Sequence, residues 1–92
     1  MNFEWDDKKN EANLKKHKIS FNEAVLVFYD PFAQIEESTK AEEQRLTIIG
    51  SIEKGVVFVV YIEKKGSSVR IISARKAKKK ERKFYEAQWE NI

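Results

Sequence analysis

The chain has no cysteine, a single histidine, one proline and three glycines among its 92 residues. Without cysteine there can be no disulfide framework and no thiolate metal site, and an intracellular setting is expected. One histidine leaves no H-x-x-x-H pair, so a tight transition-metal site is not expected and no cofactor is implied. The glycines form neither a phosphate-binding loop nor a G-x-S-x-G elbow. Long apolar runs are missing too. The longest, Val56 to Ile62, is far too short to span a bilayer. Met1-Asn2-Phe3-Glu4-Trp5-Asp6 lacks the basic and apolar regions of a signal peptide. These absences predict a soluble, cytoplasmic chain with no membrane partner, folded as one domain over 1–92 around a single core.

What is plentiful is charge, unevenly placed. Residues 1–46 carry 7 Lys/Arg against 10 Asp/Glu, whereas residues 47–92 carry 11 against 5. Seven of the nine residues from Arg75 to Lys83 are basic. That asymmetry points to a polyanionic partner, nucleic acid first among them.

Periodicity predicts a helix from about Asp7 to His17, with Asn10, Leu14 and His17 along one stripe. A second helix begins at Ser20, where Glu23 completes an S-x-x-E capping box, and carries Phe21, Ala24, Val25 and Phe28 on one face. Asp30-Pro31 stops it. Strands follow at Phe32–Glu37, Gln44–Ile52, Val56–Ile62 and Val69–Lys76, with Glu53-Lys54-Gly55 as a hairpin turn. From Ala77 the pattern is helical again. Phe3-Glu4-Trp5 reads as an edge strand or a plug over the core. The expected fold is α+β, a small antiparallel sheet with two N-terminal helices and one C-terminal helix. Simple alternation along the last strand sends Val69, Ile71, Ser73 and Arg75 to one face and Arg70, Ile72 and Ala74 to the other, one guanidinium on each.

Lys16, His17, Arg45, Arg70, Arg75 and Lys76 are candidates to hold a phosphate, and Tyr61, Glu43, Glu63 and His17 to move a proton. RNA cleavage fits this inventory, because RNA brings its own nucleophile and needs only positioning, charge stabilisation and proton transfer. Each residue also has a plainer use. His17 can cap a helix, Arg70 and Arg75 can pair with Glu36, Glu43 or Glu63, and the Lys78–Lys83 run can be a solvated helix face.

Taken in order, Phe3-Glu4-Trp5-Asp6, Asn13-Leu14-Lys15-Lys16-His17, Ile19-Ser20-Phe21-Asn22-Glu23-Ala24, Asp30-Pro31, Glu43-Gln44-Arg45, Ile49-Gly50, Ile71-Ile72-Ser73-Ala74-Arg75-Lys76-Ala77 and Glu81-Arg82 with Tyr85 resemble the BrnT family, toxins of type II toxin–antitoxin systems. The resemblance spans Phe3 to about Tyr85. It implies a RelE-like fold and a ribonuclease activity that halts translation. It also implies a cognate BrnA antitoxin, dimeric through a ribbon-helix-helix domain, through which alone operator DNA is bound. Carried over position by position, it implies Lys16, His17, Glu43, Arg45 and Arg75 as catalytic residues. Arg70, Lys76, Lys78, Lys79 and Arg82 are the expected RNA contacts, and no metal is expected. Lys18 stands where the family commonly has glycine to close the first helix, and Lys64 and Lys65 where an arginine is frequent. The competing expectation is a small, non-catalytic basic module that binds nucleic acid or docks an acidic partner.

Overall fold

The computed structural model describes residues 1–38 and 45–89. The element order is β1 (Asn2–Glu4), α1 (Asp7–His17), α2 (Phe21–Val25), a 3₁₀ turn (Leu26–Tyr29), β2 (Gln34–Ser38), β3 (Arg45–Ile52), β4 (Gly55–Lys64), β5 (Ser68–Lys76) and α3 (Lys79–Glu86). The described strands form one sheet in the order β1-β5-β4-β3-β2. β2 to β5 make an antiparallel meander, but β1 runs parallel to β5, pairing Phe3 with Val69. The sheet is therefore mixed, which corrects the expectation of a purely antiparallel one. The α1–α2 segment and the meander separate β1 from β5 in the chain, so β1 is free to enter in either direction.

α1 starts at Asp6, whose carboxylate accepts the Lys8 and Lys9 N–H groups. It ends at Lys18, which adopts the left-handed conformation (φ 63) and donates its N–H to Leu14 O. A lysine thus takes the backbone that favours glycine, at a cost of about 1 kcal/mol. The expected stripe of α1 is only partly its buried face, with Asn10 and His17 half-buried. Leu14 is 45% exposed, and the buried residue is Asn13. Its Nδ2 donates to Ile19 O and Ala74 O, and its Oδ1 accepts the Ala74 N–H. β1 ends beside Arg70, so Ala74 has no strand partner on that side, and the Asn13 amide takes the place of one.

α2 carries the capping box: Ser20 Oγ accepts the Glu23 N–H and Glu23 Oε1 accepts the Ser20 N–H. The expected single helix here tightens to a 3₁₀ turn after Val25. Ile19, Phe21, Ala24 and Val27 close the core over Ile48, Val57, Val59, Tyr61, Val69, Ile71 and Ala74. Val27 approaches so closely that a Cβ on Gly50 would stand 2.7 Å from its Cγ1, which is why this strand position has no side chain.

Candidate functional site

The face of the sheet turned away from α2 carries the basic residues, and a single irregularity decides which. Val60 pairs with Ser73 but Tyr61 with Ile71, leaving Ile72 as an extra residue in β5. This β-bulge reverses the parity of everything after it. Val69, Ile71 and Ala74 all face the core, and Arg70, Ser73 and Arg75 all face the other way, beside Ile62, Val60 and Phe58. The expected division of one guanidinium per face is corrected: Arg70 and Arg75 share the open face.

β3 adds to the same face. The Leu46–Tyr61 pair places Arg45 one step on, across from Ile62, whose partner on its other side is Arg70. Arg45 and Arg70 therefore flank one apolar residue on three adjacent strands, roughly 10 Å apart at the backbone. Next along lies the row Glu36, Thr47, Val60, Ser73, and then Gln34, Ile49, Phe58, Arg75. Nε of Arg45 is buried and has no hydrogen-bond partner among the described residues. Arg70 Nη1 lies 3.2 Å from Glu4 Oε2, a carboxylate that Lys64 also approaches. Between the two arginines the open face is apolar and half-buried at Val60 and Ile62, a floor over which a phosphate could meet guanidinium forks.

Arg75 is differently engaged. Its Nη1 and Nη2 donate to Glu81 Oε1 and Oε2 at 2.8 and 2.9 Å, Nη1 also reaches Lys76 O, and its guanidinium lies 4.2 Å from the Phe58 ring centre. Among the described residues its carboxylate partner is thus Glu81, not Glu36 or Glu63. Glu81 Oε1 also accepts the Lys78 N–H that opens α3. The Arg75 hydrogen bonds, helped by that N–H, hold the Glu81 carboxyl below its ordinary range despite partial burial. Arg75 therefore clasps α3 across one end of the open face. At the helix's other end, Tyr85 donates its hydroxyl to Asp30 Oδ2, which also accepts the Ser51 N–H, while Oδ1 accepts that of Phe32. Burial, then the Asp30 bond, pushes the Tyr85 hydroxyl up to about 12. Asp30 is itself held below its ordinary range, because these three bonds outweigh desolvation.

The other expected residues are scattered. Lys16 is exposed and His17 half-buried at the C-terminal end of α1, where Lys54 Nζ bridges Lys18 O and Glu23. Among the described hydrogen bonds and ion pairs none joins them to Arg45, Arg70 or Arg75. Lys76 pairs with Val57 and projects from the opposite face to Arg75. Lys78, Lys79 and Arg82 are exposed on α3, Arg82 beside Glu86. Tyr61 is a core residue, 2% exposed and edge-on to Phe28; burial, then Glu63, raises its hydroxyl, which suits packing rather than proton transfer. Glu43 lies outside the described residues. Glu81, Asp30 and Asn13 were missed as site-forming residues, though Asp30-Pro31 and the Glu81-Arg82 pair were visible as motifs.

A family model described as the ribonuclease toxin BrnT of type II toxin–antitoxin systems matches residues 5–81. Among solved structures, the chain is similar to the Brucella abortus ribonuclease toxin BrnT, with a TM-score of 0.69 and 27% sequence identity over 86% of this chain and 99% of that one. Comparison with curated proteins yields no match.

Proposed function

Because the chain belongs to the BrnT family of ribonuclease toxins of type II toxin–antitoxin systems, we propose that it cuts single-stranded RNA on the open face of its sheet, with Arg45 and Arg70 holding the scissile phosphate. The observation that carries this reading is the register of β3, β4 and β5, which sets Arg45 and Arg70 on either side of Ile62 on the open face, while the β5 bulge adds Arg75 to that face four residues along β4. In this mechanism the ribose 2′-oxygen attacks the adjacent phosphorus, its proton passes to a base, and the 5′-oxygen leaves as an alcohol. The products are a 2′,3′-cyclic phosphate and a 5′-hydroxyl. The guanidinium groups stabilise the charge that grows on the non-bridging oxygens. We read the route as independent of metal, because RNA supplies its own nucleophile and the arginines supply the charge stabilisation.

Proton transfer falls, on family resemblance, to Glu43 and His17, with Lys16 a further cation and Arg75 acting through the α3 clasp. Lys78, Lys79 and Arg82 extend the positive surface along the RNA backbone. We read the fold as a relative of the RelE-like toxins and the consequence of cleavage as arrest of translation in the cytoplasm. The antitoxin is a BrnA-type ribbon-helix-helix protein, which alone brings operator DNA to the complex.

The test is cleavage of a labelled RNA by the purified chain in EDTA. Arg45→Ala and Arg70→Ala should each lose roughly a hundredfold in kcat/KM while keeping the parent's unfolding profile. Wild-type cleavage by both variants would remove the arginines from the site. Cleavage that stops in EDTA and returns with magnesium, or 3′-hydroxyl products, would overturn the mechanism. Binding without turnover would identify a non-catalytic module.

A further inference from the structure

Between α3 and the open face lies a cavity of roughly 200 Å³, lined by Glu36, Ile49, Phe58, Lys80, Glu81 and Phe84. It belongs to neither the core nor the arginine row, yet it adjoins both. Glu36 pairs with Thr47, two residues along β3 from Arg45 and two strands across from Ile62, so the nearest wall of the cavity lies roughly 12 Å at the backbone from the proposed phosphate position. That is within the reach of one nucleotide.

Three of the six lining residues are apolar, two of them aromatic, and the other three are charged. Ile49 is buried, and the Phe58 ring is pinned from one side by the Arg75 guanidinium. Phe84 is left 42% exposed at the mouth, an unusual place for a large apolar ring on a helix otherwise rich in lysine. Of the two carboxylates, Glu81 is saturated by Arg75 and the Lys78 N–H. Glu36 is exposed, and none of the described hydrogen bonds or ion pairs engages its carboxylate. Lys80 is exposed at the rim and likewise free of any described pairing. The cavity thus offers flat apolar surface, one free acceptor pair and one cation.

A nucleobase is the flat ligand that an RNA-cutting surface would meet, and the free carboxylate distinguishes among the four. Guanine presents two neighbouring N–H donors on its Watson–Crick edge, N1–H and the N2 amine, which match the two oxygens of a carboxylate. Adenine and cytosine set their amine beside a ring-nitrogen lone pair that would oppose the second oxygen. Uracil flanks its one N–H with two carbonyls. We propose, on the reading of this face as an RNA-cutting surface, that the α3–sheet cavity is a guanine-binding subsite in which Glu36 reads the base edge, Phe84 and Phe58 supply the apolar surface, and Lys80 meets the neighbouring phosphate.

The test separates base recognition from cleavage. Uridine decamers carrying a single guanosine, inosine, adenosine or cytidine are made both as RNA and with 2′-O-methyl groups, which block the nucleophile. Binding of the blocked set is followed by fluorescence anisotropy. The guanosine decamer should bind roughly 10- to 100-fold more tightly than the adenosine or cytidine ones. Inosine, which keeps N1–H but lacks the amine, should fall between. Glu36→Gln should erase most of this preference, and Phe84→Ala should weaken guanosine binding while leaving the uridine background unchanged. With cleavable RNA, wild type should cut next to guanosine and Glu36→Gln should cut without that bias.

Equal affinity of the wild type for all four blocked decamers overturns the subsite. So does an unchanged preference in Glu36→Gln. If no RNA is cut but the guanosine decamer is still preferred, the catalytic reading fails and the subsite stands. If RNA is cut with no regard to guanosine, the reverse holds.

Discussion

The Asn13 amide makes its hydrogen bonds to Ile19 O and to both backbone groups of Ala74 away from water, and no other described side chain joins α1 to β5 by such bonds. Asn13→Ala would strand an N–H and two carbonyls, each costing about 1–3 kcal/mol when left unpaired. A loss of at least about 3 kcal/mol in urea unfolding is expected, and more for Asn13→Asp, whose carboxylate would face two carbonyl oxygens. A change within about 0.5 kcal/mol would mean that water replaces the amide. Tyr85 and Asp30 give a pH dependence whose signs differ. The tyrosine is raised from 10.0 to about 12, so its contribution is complete below pH 10 and is lost as pH climbs through about 12. Asp30 is lowered from 3.8, so its contribution is present above that value and is lost as pH falls through the lower folded-state value. Melting temperature against pH should lose part of its alkaline limb in Tyr85→Phe and part of its acid limb in Asp30→Asn. Limbs that match the parent's would show that other groups govern them.

At the scale of elements, α3 is an eight-residue helix held by contacts at its two ends, the Arg75–Glu81 fork and the Tyr85–Asp30 bond. A helix so short does not persist unless docked. Arg75→Ala should therefore raise hydrogen exchange over 79–86 while leaving β3 and β4 protected. Glu81→Gln separates the two roles that Arg75 can play. If the arginine acts by clasping α3, Glu81→Gln should lower RNA cleavage about as much as Arg75→Ala does. If it touches phosphate, Glu81→Gln should be much the milder, because the guanidinium remains and is freed. Arg75→Lys should restore either role only in part, since the bidentate fork is lost.

The whole molecule has a net charge of only +3, but eight of its 18 Lys/Arg stand between Arg70 and Lys83, where Glu81 is the one acidic residue. A partner that silences RNA cleavage by covering this region would exchange one polyanion for another. Reversing Lys78, Lys79 and Arg82 together should slow association with both RNA and the antitoxin, and the slowing should shrink as salt is raised. Stopped-flow rates at low and high ionic strength provide the measurement. Antitoxin association at an unchanged rate beside weakened RNA binding would show that the two surfaces are distinct.

Local chemistry determined most of the elements from sequence alone. The Ser20–Glu23 box, the stop at Asp30-Pro31, the Asp7–His17 helix and the three long strands depend on residues within a turn or a strand of one another, and each lies within two residues of its expected bounds. Tertiary structure alone decided how those elements present their side chains. The bulge at Ile72 arises in the pairing of β4 with β5, which no single strand's own pattern records, and one extra residue moved Arg75 to the face of Arg70. The parallel entry of β1, the Asn13 amide standing in for a strand, and the choice of Glu81 as the partner of Arg75 likewise join residues that no local pattern relates. β5 holds no glycine or proline that would mark its bulge, so alternation was the only guide to facing there, and alternation fails wherever the ladder slips by one. The chain's charge and elements were therefore legible in its sequence, whereas the shared face of Arg45, Arg70 and Arg75 had to await the register of the sheet.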